Sequence, residues 1–165
     1  MSDTAGTRIE SLVGALAEKL TQRQMTCATA ESCTGGWIAQ TMTSVAGSSA
    51  WFECGFVTYS DVSKTRLLDV EKTLIRRFGA VSEQVARAMA SGAVKHSPAQ
   101  VAVSVTGIAG PTGGSAQKPV GTVVFGWLVP GMADPDVEEV LFSGDRQGIR
   151  WDTVVHALEG LNQRL

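Results

Sequence analysis

Residues 30–36 read Ala30-Glu31-Ser32-Cys33-Thr34-Gly35-Gly36 and connect two elements of different kinds. The short apolar run before them, 25–30, predicts a buried strand, and the spacing after them predicts a helix over about 36–44. These seven residues, called the Ser32 turn below, therefore lead from a strand into a helix. At such a turn the free N–H groups of the first helical residues face the loop, and the helix dipole favours negative charge there.

Two interpretations of Ser32 are open at this turn. Its hydroxyl has the position of a nucleophile whose developing negative charge the helix N terminus would stabilise. Alternatively, Ser32 or Thr34 is only the N-cap of the helix, which is the common role of Ser and Thr before a helix. On these seven residues alone, the cap is the favoured interpretation.

The rest of the chain alternates between helical and strand periodicity. Apolar residues at helical spacing predict helices over 7–22, 63–68, 71–78 and 82–95, and a closing helix from 145 onward. Ser60 or Asp61 is expected to cap the helix over 63–68. Runs rich in β-branched and aromatic residues predict strands over 50–59, 100–105, 120–129 and 137–142. This pattern predicts a three-layer α/β/α sandwich around a mixed sheet of about five strands, with the strand order left open.

Composition limits the class of protein. The chain has 165 residues, 44% of them hydrophobic and 18% charged, which fits one compact domain over 1–165. A net charge of -2 without a basic cluster argues against nucleic acid as the main ligand. Segment 1–6 does not have the pattern of a signal peptide, and no apolar run approaches the ~20 residues that span a bilayer. The three cysteines, Cys27, Cys33 and Cys54, form no paired motif, which predicts reduced thiols and a cytoplasmic location.

A second unusual loop follows the predicted strand 100–105. It has glycines at every third position, Gly107, Gly110 and Gly113, so its backbone N–H groups can approach a phosphate or an oxyanion closely. The loop matches neither the Walker A nor the dinucleotide-binding spacing, and a tight turn is an equally good interpretation. Because no His, Cys, Asp or Glu cluster has ligand spacing, the sequence predicts no metal site.

A serine nucleophile needs a proton acceptor. The only histidines, His96 and His156, lie within or at the end of predicted helices and give poor support for a Ser-His-Asp triad. Lys64 is the better candidate, because the helix dipole and burial would both favour its neutral amine, although a solvated lysine is the alternative. Tyr59, the only tyrosine, is expected at the same strand end. It would either form a hydrogen bond with the base, the nucleophile or an aromatic substrate, or pack at the rim of the site.

Other candidates remain open from the residues alone. Cys33 is a rival nucleophile, because a thiol at a helix N terminus has a lowered pKa. Arg146 and Arg150, one helical turn apart, could clamp a phosphate or carboxylate. Alternatively, the two arginines pair with Asp145 and Asp152 on a solvated helix face.

Five ordered blocks of this chain resemble one known family, the CinA C-terminal domain family, over nearly the whole length. The blocks are residues 28–36, Tyr59 with Lys64, Thr106-Gly107-Ile108-Ala109-Gly110-Pro111, Lys118-Pro119-Val120-Gly121, and Gly144-Asp145-Arg146 with Ile149-Arg150. Members of the family are nicotinamide mononucleotide deamidases of the pyridine nucleotide cycle, which hydrolyse the carboxamide of the nucleotide to a carboxylate and ammonia. The resemblance therefore implies a hydrolase that needs neither a metal nor another cofactor.

The resemblance also implies residue roles. Ser32 would be the nucleophile, Lys64 the general base and Tyr59 a support for the pair. The oxyanion and the substrate would be held around Thr106, Gly107 and Gly110, by the residues that follow Ser32 (Cys33, Thr34, Gly35 and Gly36), and by Arg146. The substrate phosphate is assigned to no single group among Arg146, Lys118 and the glycine amides.

Many relatives carry this domain behind a larger N-terminal domain, whereas this chain begins almost directly with the C-terminal unit. We therefore expect it to act as a stand-alone enzyme. The alternative function is a non-catalytic nucleotide-binding or protein-interaction module. The apolar first helix, together with Trp37 and Trp151 as surface candidates, predicts a homo-oligomer, with a dimer favoured. No nucleic acid or membrane partner is expected.

Overall fold

The computed structural model describes residues 3–165, with side chains from residue 6 onward, so the start of the predicted domain 1–165 and part of segment 1–6 lie outside the described residues. In chain order the elements are α1 (Asp3–Gln22), β1 (Cys27–Glu31), α2 (Trp37–Thr43), β2 (Phe52–Val57), α3 (Asp61–Leu68), α4 (Lys72–Phe78), α5 (Glu83–Lys95), β3 (Val101–Gly107), β4 (Thr122–Leu128), β5 (Asp136–Leu141) and α6 (Arg146–Arg164).

The strands form one mixed sheet in the order β2-β1-β3-β4-β5. β1 pairs in parallel with both β2 and β3, whereas β4 runs antiparallel to both β3 and β5. The register places Ala30 of β1 between Phe56 and Ser104. The carboxyl ends of β1, β2 and β3 therefore lie side by side at one edge of the sheet, where ligands bind in open α/β folds.

Helices cover both faces of the sheet, which confirms the predicted three layers. On one face, α1, α2 and α6 bury a core that includes Leu16, Ile38 and Leu158 against the aromatic rings of β4. On the other face, α3, α4 and α5 pack on the small residues of β1. Each fully buried aliphatic or aromatic side chain contributes about 1.5–3 kcal/mol, so the two cores hold the sheet edge in place.

Close approach of α5 to the sheet depends on a glycine in β4. A Cβ on Gly126 would lie 2.8 Å from the carbonyl oxygen of Ala86 and 2.6 Å from Ser104 Oγ. Ser104 Oγ in turn donates to the same carbonyl at 2.7 Å. The missing side chain therefore lets α5 lie directly against β3 and β4.

The structure changes the predicted bounds at several ends. The strand predicted over 50–59 is shorter because residues Ser48–Ala50 form a 3₁₀ turn and Trp51, at 2% exposure, is buried in the core. The helix predicted from 63 begins two residues earlier, at Asp61, because Ser60 and Ser63 form a reciprocal capping box. The predicted Ser60 cap is thereby confirmed.

The three cysteines lie within the described residues and are free thiols, with Cys27 and Cys33 buried and Cys54 half-buried. The prediction of reduced, mostly buried cysteines is therefore confirmed. Within residues 3–165, every helix is too short or too polar to cross a lipid bilayer.

Candidate active site

Ser32 follows β1 directly and is held at the carboxyl edge of the sheet. Its amide donates to the carbonyl of Val105 in β3 at 3.1 Å, which continues the β1–β3 ladder by one residue. The carbonyl of Ser32 accepts from the amide of Gly35 at 3.0 Å, and Gly35 has a φ of 62°, a left-handed conformation that glycine adopts without strain. The hydroxyl, in a residue 8% exposed, therefore has a fixed position in a sharp turn.

Lys64, in α3, reaches Ser32 from the neighbouring strand end. Its side chain is buried at 1% exposure, and Nζ contacts Ser32 Oγ at 3.0 Å. Nζ also donates to the carbonyl oxygens of Thr58 at 2.8 Å and Tyr59 at 3.2 Å. A neutral amine has two hydrogens for the two carbonyls, and its lone pair is then directed at the serine hydroxyl.

Burial lowers the pKa of Lys64 below its ordinary value of 10.5, because the loss of surrounding water disfavours the ammonium form. The negative charge of Asp61 opposes this shift in pKa. At neutral pH a larger fraction of Lys64 is therefore an unprotonated amine than at a surface lysine. The predicted direction of the Lys64 pKa is confirmed.

Glu31 binds the N terminus of α2 in place of the predicted hydroxyl cap. Its Oε2 accepts from Thr34 Oγ1 at 2.6 Å, from the amide of Gly36 at 3.1 Å and from that of Ile38 at 3.0 Å. Its Oε1 accepts from the amide of Ala39 at 2.8 Å. The N-cap position belongs to Gly36, which provides no side-chain bond. The interpretation of Ser32 or Thr34 as the N-cap is therefore wrong, because a buried carboxylate satisfies these donors instead.

A cleft of about 360 Å³ opens above Ser32 and Lys64. Among the residues predicted for the site, it is lined by Ser32, Cys33, Tyr59, Lys64, Thr106, Gly107, Gly110 and Arg146. Three predicted residues, Thr34, Gly35 and Gly36, are not in its lining and instead shape the turn behind Ser32. The structure therefore brings eight of the predicted residues together at one surface.

The glycine-rich loop forms one wall of the cleft and is tied to the start of β4. The amide of Ile108 donates to Thr122 at 2.8 Å, and the carbonyl of Ile108 accepts from Gly121 at 2.7 Å. Thr106 Oγ1 donates to the carbonyl of Ala80 at 2.8 Å. The loop therefore turns back over the end of the sheet and faces the Ser32 turn.

Arg146, the first residue of α6, bridges the mouth of the cleft. Its Nη1 donates to the carbonyl of Gly110 at 2.7 Å, and its Nη2 donates to Tyr59 Oη at 3.2 Å. The Tyr59 ring is exposed, and Tyr59 contacts Lys64 through its backbone carbonyl. Tyr59 thus belongs to the rim through its phenol and supports the amine through its main chain.

Arg150 holds the Ser32 turn from outside the cleft. Its Nε donates to the carbonyl of Cys33 at 3.0 Å, and its Nη2 donates to that of Thr34 at 2.8 Å. The guanidinium also lies 5.2 Å from the ring centroid of Trp37. Among the described residues neither Arg146 nor Arg150 forms an ion pair with Asp145 or Asp152, so the solvated-face alternative is wrong.

Three other candidate residues, Lys118, His96 and His156, lie outside the cleft. Lys118 forms an ion pair with Glu139. His96 contacts Asp69 at 2.7 Å, and His156 contacts Glu138 at 3.1 Å. In the part of the chain that the structure describes, no three His, Cys, Asp or Glu side chains gather as a metal site would require.

Cys33 lies in the cleft, but its thiol does not have the character of a nucleophile. Burial raises its pKa to about 11, an effect reinforced by the nearby Glu31 and opposed by its own backbone amide, Arg150 and Lys64. The expectation of a lowered thiol pKa at this helix N terminus is wrong, because burial dominates and Glu31 supplies negative charge there. Cys33 is therefore a thiol at neutral pH.

Sequence reasoning missed parts of this site. Asp61, Ala80 and Val81 line the cleft, and the two apolar residues carry no chemical signal that could have identified them. Glu31 did carry a signal, because an acid at the end of an otherwise apolar strand must find donors when it is buried. Trp37 and Trp151, predicted as surface residues, are half-buried against each other with ring centroids 5.6 Å apart.

Fold and site together define an α/β protein with a buried serine–lysine pair in a cleft at the carboxyl edge of a mixed sheet. The family model of the CinA C-terminal domain matches residues 9–165, and the chain belongs to that family. The resemblance found from the five sequence blocks is therefore confirmed.

Relatives and solved structures agree with this assignment. The nicotinamide-nucleotide amidohydrolase PncC of Escherichia coli (strain K12) is 45% identical over 164 residues, covering 99% of this chain and 97% of the relative. A Pseudomonas putida protein of the same name is 48% identical over 155 residues, covering 94% of this chain and 96% of the relative. The crystal structure of a competence-damaged protein (CinA) superfamily protein from Escherichia coli is similar with a TM-score of 0.92 at 37% identity, covering 100% of this chain and 94% of that one.

Proposed function

We propose that this chain is an amidohydrolase that converts nicotinamide mononucleotide to nicotinate mononucleotide and ammonia. The observation that carries the proposal is the 3.0 Å contact between Ser32 Oγ and the buried Lys64 Nζ at the base of the cleft. The substrate class follows from the names of two relatives, nicotinamide-nucleotide amidohydrolase, whose similarity to this chain extends over nearly its full length.

The chemistry is acyl transfer in two steps. Ser32 Oγ attacks the carboxamide carbon while the neutral amine of Lys64 accepts the hydroxyl proton. Collapse of the tetrahedral intermediate breaks the C–N bond, and the ammonium of Lys64 returns that proton to the leaving ammonia. Water then attacks the acyl ester, again with Lys64 as the proton acceptor, and releases the carboxylate and the free Ser32 hydroxyl.

The oxyanion of each tetrahedral intermediate needs hydrogen-bond donors beside Ser32. The amide of Cys33 follows the nucleophile directly. Among the described residues it donates to no backbone carbonyl and interacts with its own thiol, and the amides of Ala109 and Gly110 donate to no backbone carbonyl. All three residues line the cleft. We therefore assign the oxyanion to these backbone groups. Loss of one such donor typically reduces kcat about 10²- to 10³-fold.

The phosphate of the substrate is assigned to Arg146 at the mouth. Its guanidinium is exposed, lines the cleft and is oriented by Gly110 and Tyr59, as a side chain that receives an anion should be. A cleft of about 360 Å³ has the size of a small-molecule site. Lys118 is engaged by Glu139 and is therefore a poorer candidate than Arg146.

The proposed reaction uses neither a metal nor an organic cofactor. The proposed location is the reducing cytosol, because the three cysteines are free thiols. A homodimer is the expected assembly, which light scattering of the purified protein would test.

The decisive experiment measures ammonia release from nicotinamide mononucleotide by the wild type and Ser32→Ala, with a chelator present. Ser91→Ala, which changes an exposed serine of α5, is the matched control. We expect release by the wild type and the control, and a loss of activity of about 10³-fold or more in Ser32→Ala. No release by the wild type would favour the non-catalytic binding module, and equal release by Ser32→Ala would remove Ser32 from the reaction.

A further inference from the structure

Glu31 is a buried carboxylate that the proposed chemistry does not use. It is the last residue of β1, directly before Ser32, and it is fully buried. Four donors fill its two oxygens: the Thr34 hydroxyl and the amides of Gly36, Ile38 and Ala39. Oε2 accepts three of these bonds and Oε1 accepts one, so both carboxylate oxygens are held by the turn and the first residues of α2.

The backbone of Glu31 also connects to the other half of the site. Its carbonyl accepts from the amide of Thr58 at 2.8 Å, and the carbonyl of Thr58 accepts from Lys64 Nζ at 2.8 Å. Glu31 is thus one residue from the serine along the chain and two hydrogen bonds from the lysine across the sheet. A displacement of Glu31 would therefore change the distance between Ser32 Oγ and Lys64 Nζ.

The same contacts determine where an anionic substrate cannot bind. The N terminus of α2 would otherwise present free amides beside Ser32, but the carboxylate of Glu31 engages those of Gly36, Ile38 and Ala39. A second negative group placed there would also be repelled by Glu31. The amides of α2 are therefore not free to bind the phosphate, which leaves Arg146 at the mouth of the cleft as its partner.

We propose that Glu31 is a positioning residue, which fixes the Ser32 turn against α2 so that Ser32 Oγ and Lys64 Nζ stay in reactive contact. The part of its test that measures ammonia release rests on the proposed function. A glutamine in place of Glu31 has only one acceptor oxygen, so at least one of the four donors loses its acceptor. Its amide hydrogens would also face backbone N–H groups.

The test combines Glu31→Gln with a readout that does not need the nucleotide. A fluorophosphonate probe phosphonylates a reactive serine, with fluoride leaving and the hydroxyl proton passing to the base, and its rate constant and final stoichiometry are measured separately. Steady-state ammonia release gives kcat and KM, and thermal unfolding gives stability. Glu10→Gln, at an exposed glutamate of α1, is the matched control.

We expect Glu31→Gln to lower kcat and the labelling rate constant by about 10- to 100-fold, because small misplacements of reacting groups have effects of this size. KM should stay close to the wild-type value, and labelling should still reach one probe per chain. The proposal would be overturned if Glu31→Gln had the same kcat per labelled site and the same labelling rate constant as the wild type, even if the variant were less stable.

A milder variant covers the case in which Glu31→Gln does not fold. Thr34→Val removes the shortest of the four bonds to the carboxylate and leaves its charge in place. A labelling rate per folded chain below that of wild type supports the positioning role, and an unchanged rate contradicts it. If the wild type reacts with the probe but releases no ammonia, the proposed function fails, while the ratio of labelling rates still tests Glu31.

Discussion

Replacement of Lys64 by methionine separates proton transfer from packing at the site. Methionine is unbranched and of similar length, so it can follow the same buried path from α3 to Ser32 without a charge or a proton acceptor. The variant therefore removes the proposed base while it keeps the side-chain volume in a position that is only 1% exposed.

The size of the effect on activity follows from the role of a general base. Such a group typically contributes a factor of about 10² to 10⁴ to the rate, which corresponds to about 3–5.5 kcal/mol in the activation free energy. We expect kcat of Lys64→Met to fall by this factor. KM should change little, because Lys64 contacts the nucleophile and two backbone carbonyls rather than the mouth of the cleft.

The effect on stability follows from the same three contacts. Each hydrogen bond of Nζ contributes about 1 kcal/mol net, so their loss lowers the free energy of unfolding by about 3 kcal/mol. Domains of this kind have unfolding free energies of about 5–15 kcal/mol, and the variant should therefore remain folded. Its loss of activity can then be attributed to chemistry.

The assay is ammonia release at saturating nicotinamide mononucleotide, with urea unfolding measured on the same preparations. Lys72→Met, at an exposed lysine of α4, is the matched control and should keep wild-type activity. A folded Lys64→Met protein with more than about a tenth of the wild-type kcat would refute the assignment of Lys64 as the base.

Three further predictions follow. For the wild type, kcat/KM should rise with pH as Lys64 loses its proton, with a midpoint below 10.5 because burial lowers the lysine pKa, and a pH profile measures this. Cys33→Ala should keep activity of the wild-type order in the ammonia assay, because a thiol with a pKa of about 11 is not the nucleophile. Gly160→Ala should lower the free energy of urea unfolding by about 1–3 kcal/mol, because its Cβ would lie 2.3 Å from Trp127. Gly14→Ala, in α1 with open space around the new methyl group, should raise that free energy by about 1 kcal/mol.

Each of these outcomes can fail in a distinct way. A pH profile that is flat up to the ordinary lysine value would mean that the ionisation of Lys64 does not limit the reaction. An inactive but folded Cys33→Ala would move the nucleophile to the thiol. Equal unfolding free energies for the two glycine variants would show that Trp127 moves aside, contrary to the close packing of α6 on β4.

The sheet and its layers were predictable because each strand carries its own local pattern. β3 is a run of valine and small residues, β4 is rich in β-branched and aromatic residues, and β1 is a short apolar run before the Ser32 turn, so all three were found within a few residues. The order β2-β1-β3-β4-β5 was not predictable, because pairing depends on contacts between distant segments that leave no local periodicity. The residues alone did not require β1 to lie between β2 and β3.

The candidate site was predictable where the chemistry is carried by side chains with a distinctive position. Ser32 and Lys64 could be named from their places at strand ends and from the family resemblance, and they lie 3.0 Å apart. The capping role of Glu31 was not found, because a Ser or Thr before a helix is the commoner cap and the burial of Glu31 is a tertiary property. The raised pKa of Cys33 was missed for the same reason, since local position alone predicted the opposite direction.

The reversal of strand direction after β3 has a practical use. The turn between β4 and β5, 129–135, lies at the ends of the strands that are far from the cleft. The distance is about 20 Å along a strand of seven residues. Its Gly131 has a φ of 95° and open space around it, so this turn has room for an inserted cysteine or peptide tag. A protein tethered to an electrode or a bead through this turn would present its cleft to the surrounding solution, where small molecules can reach it.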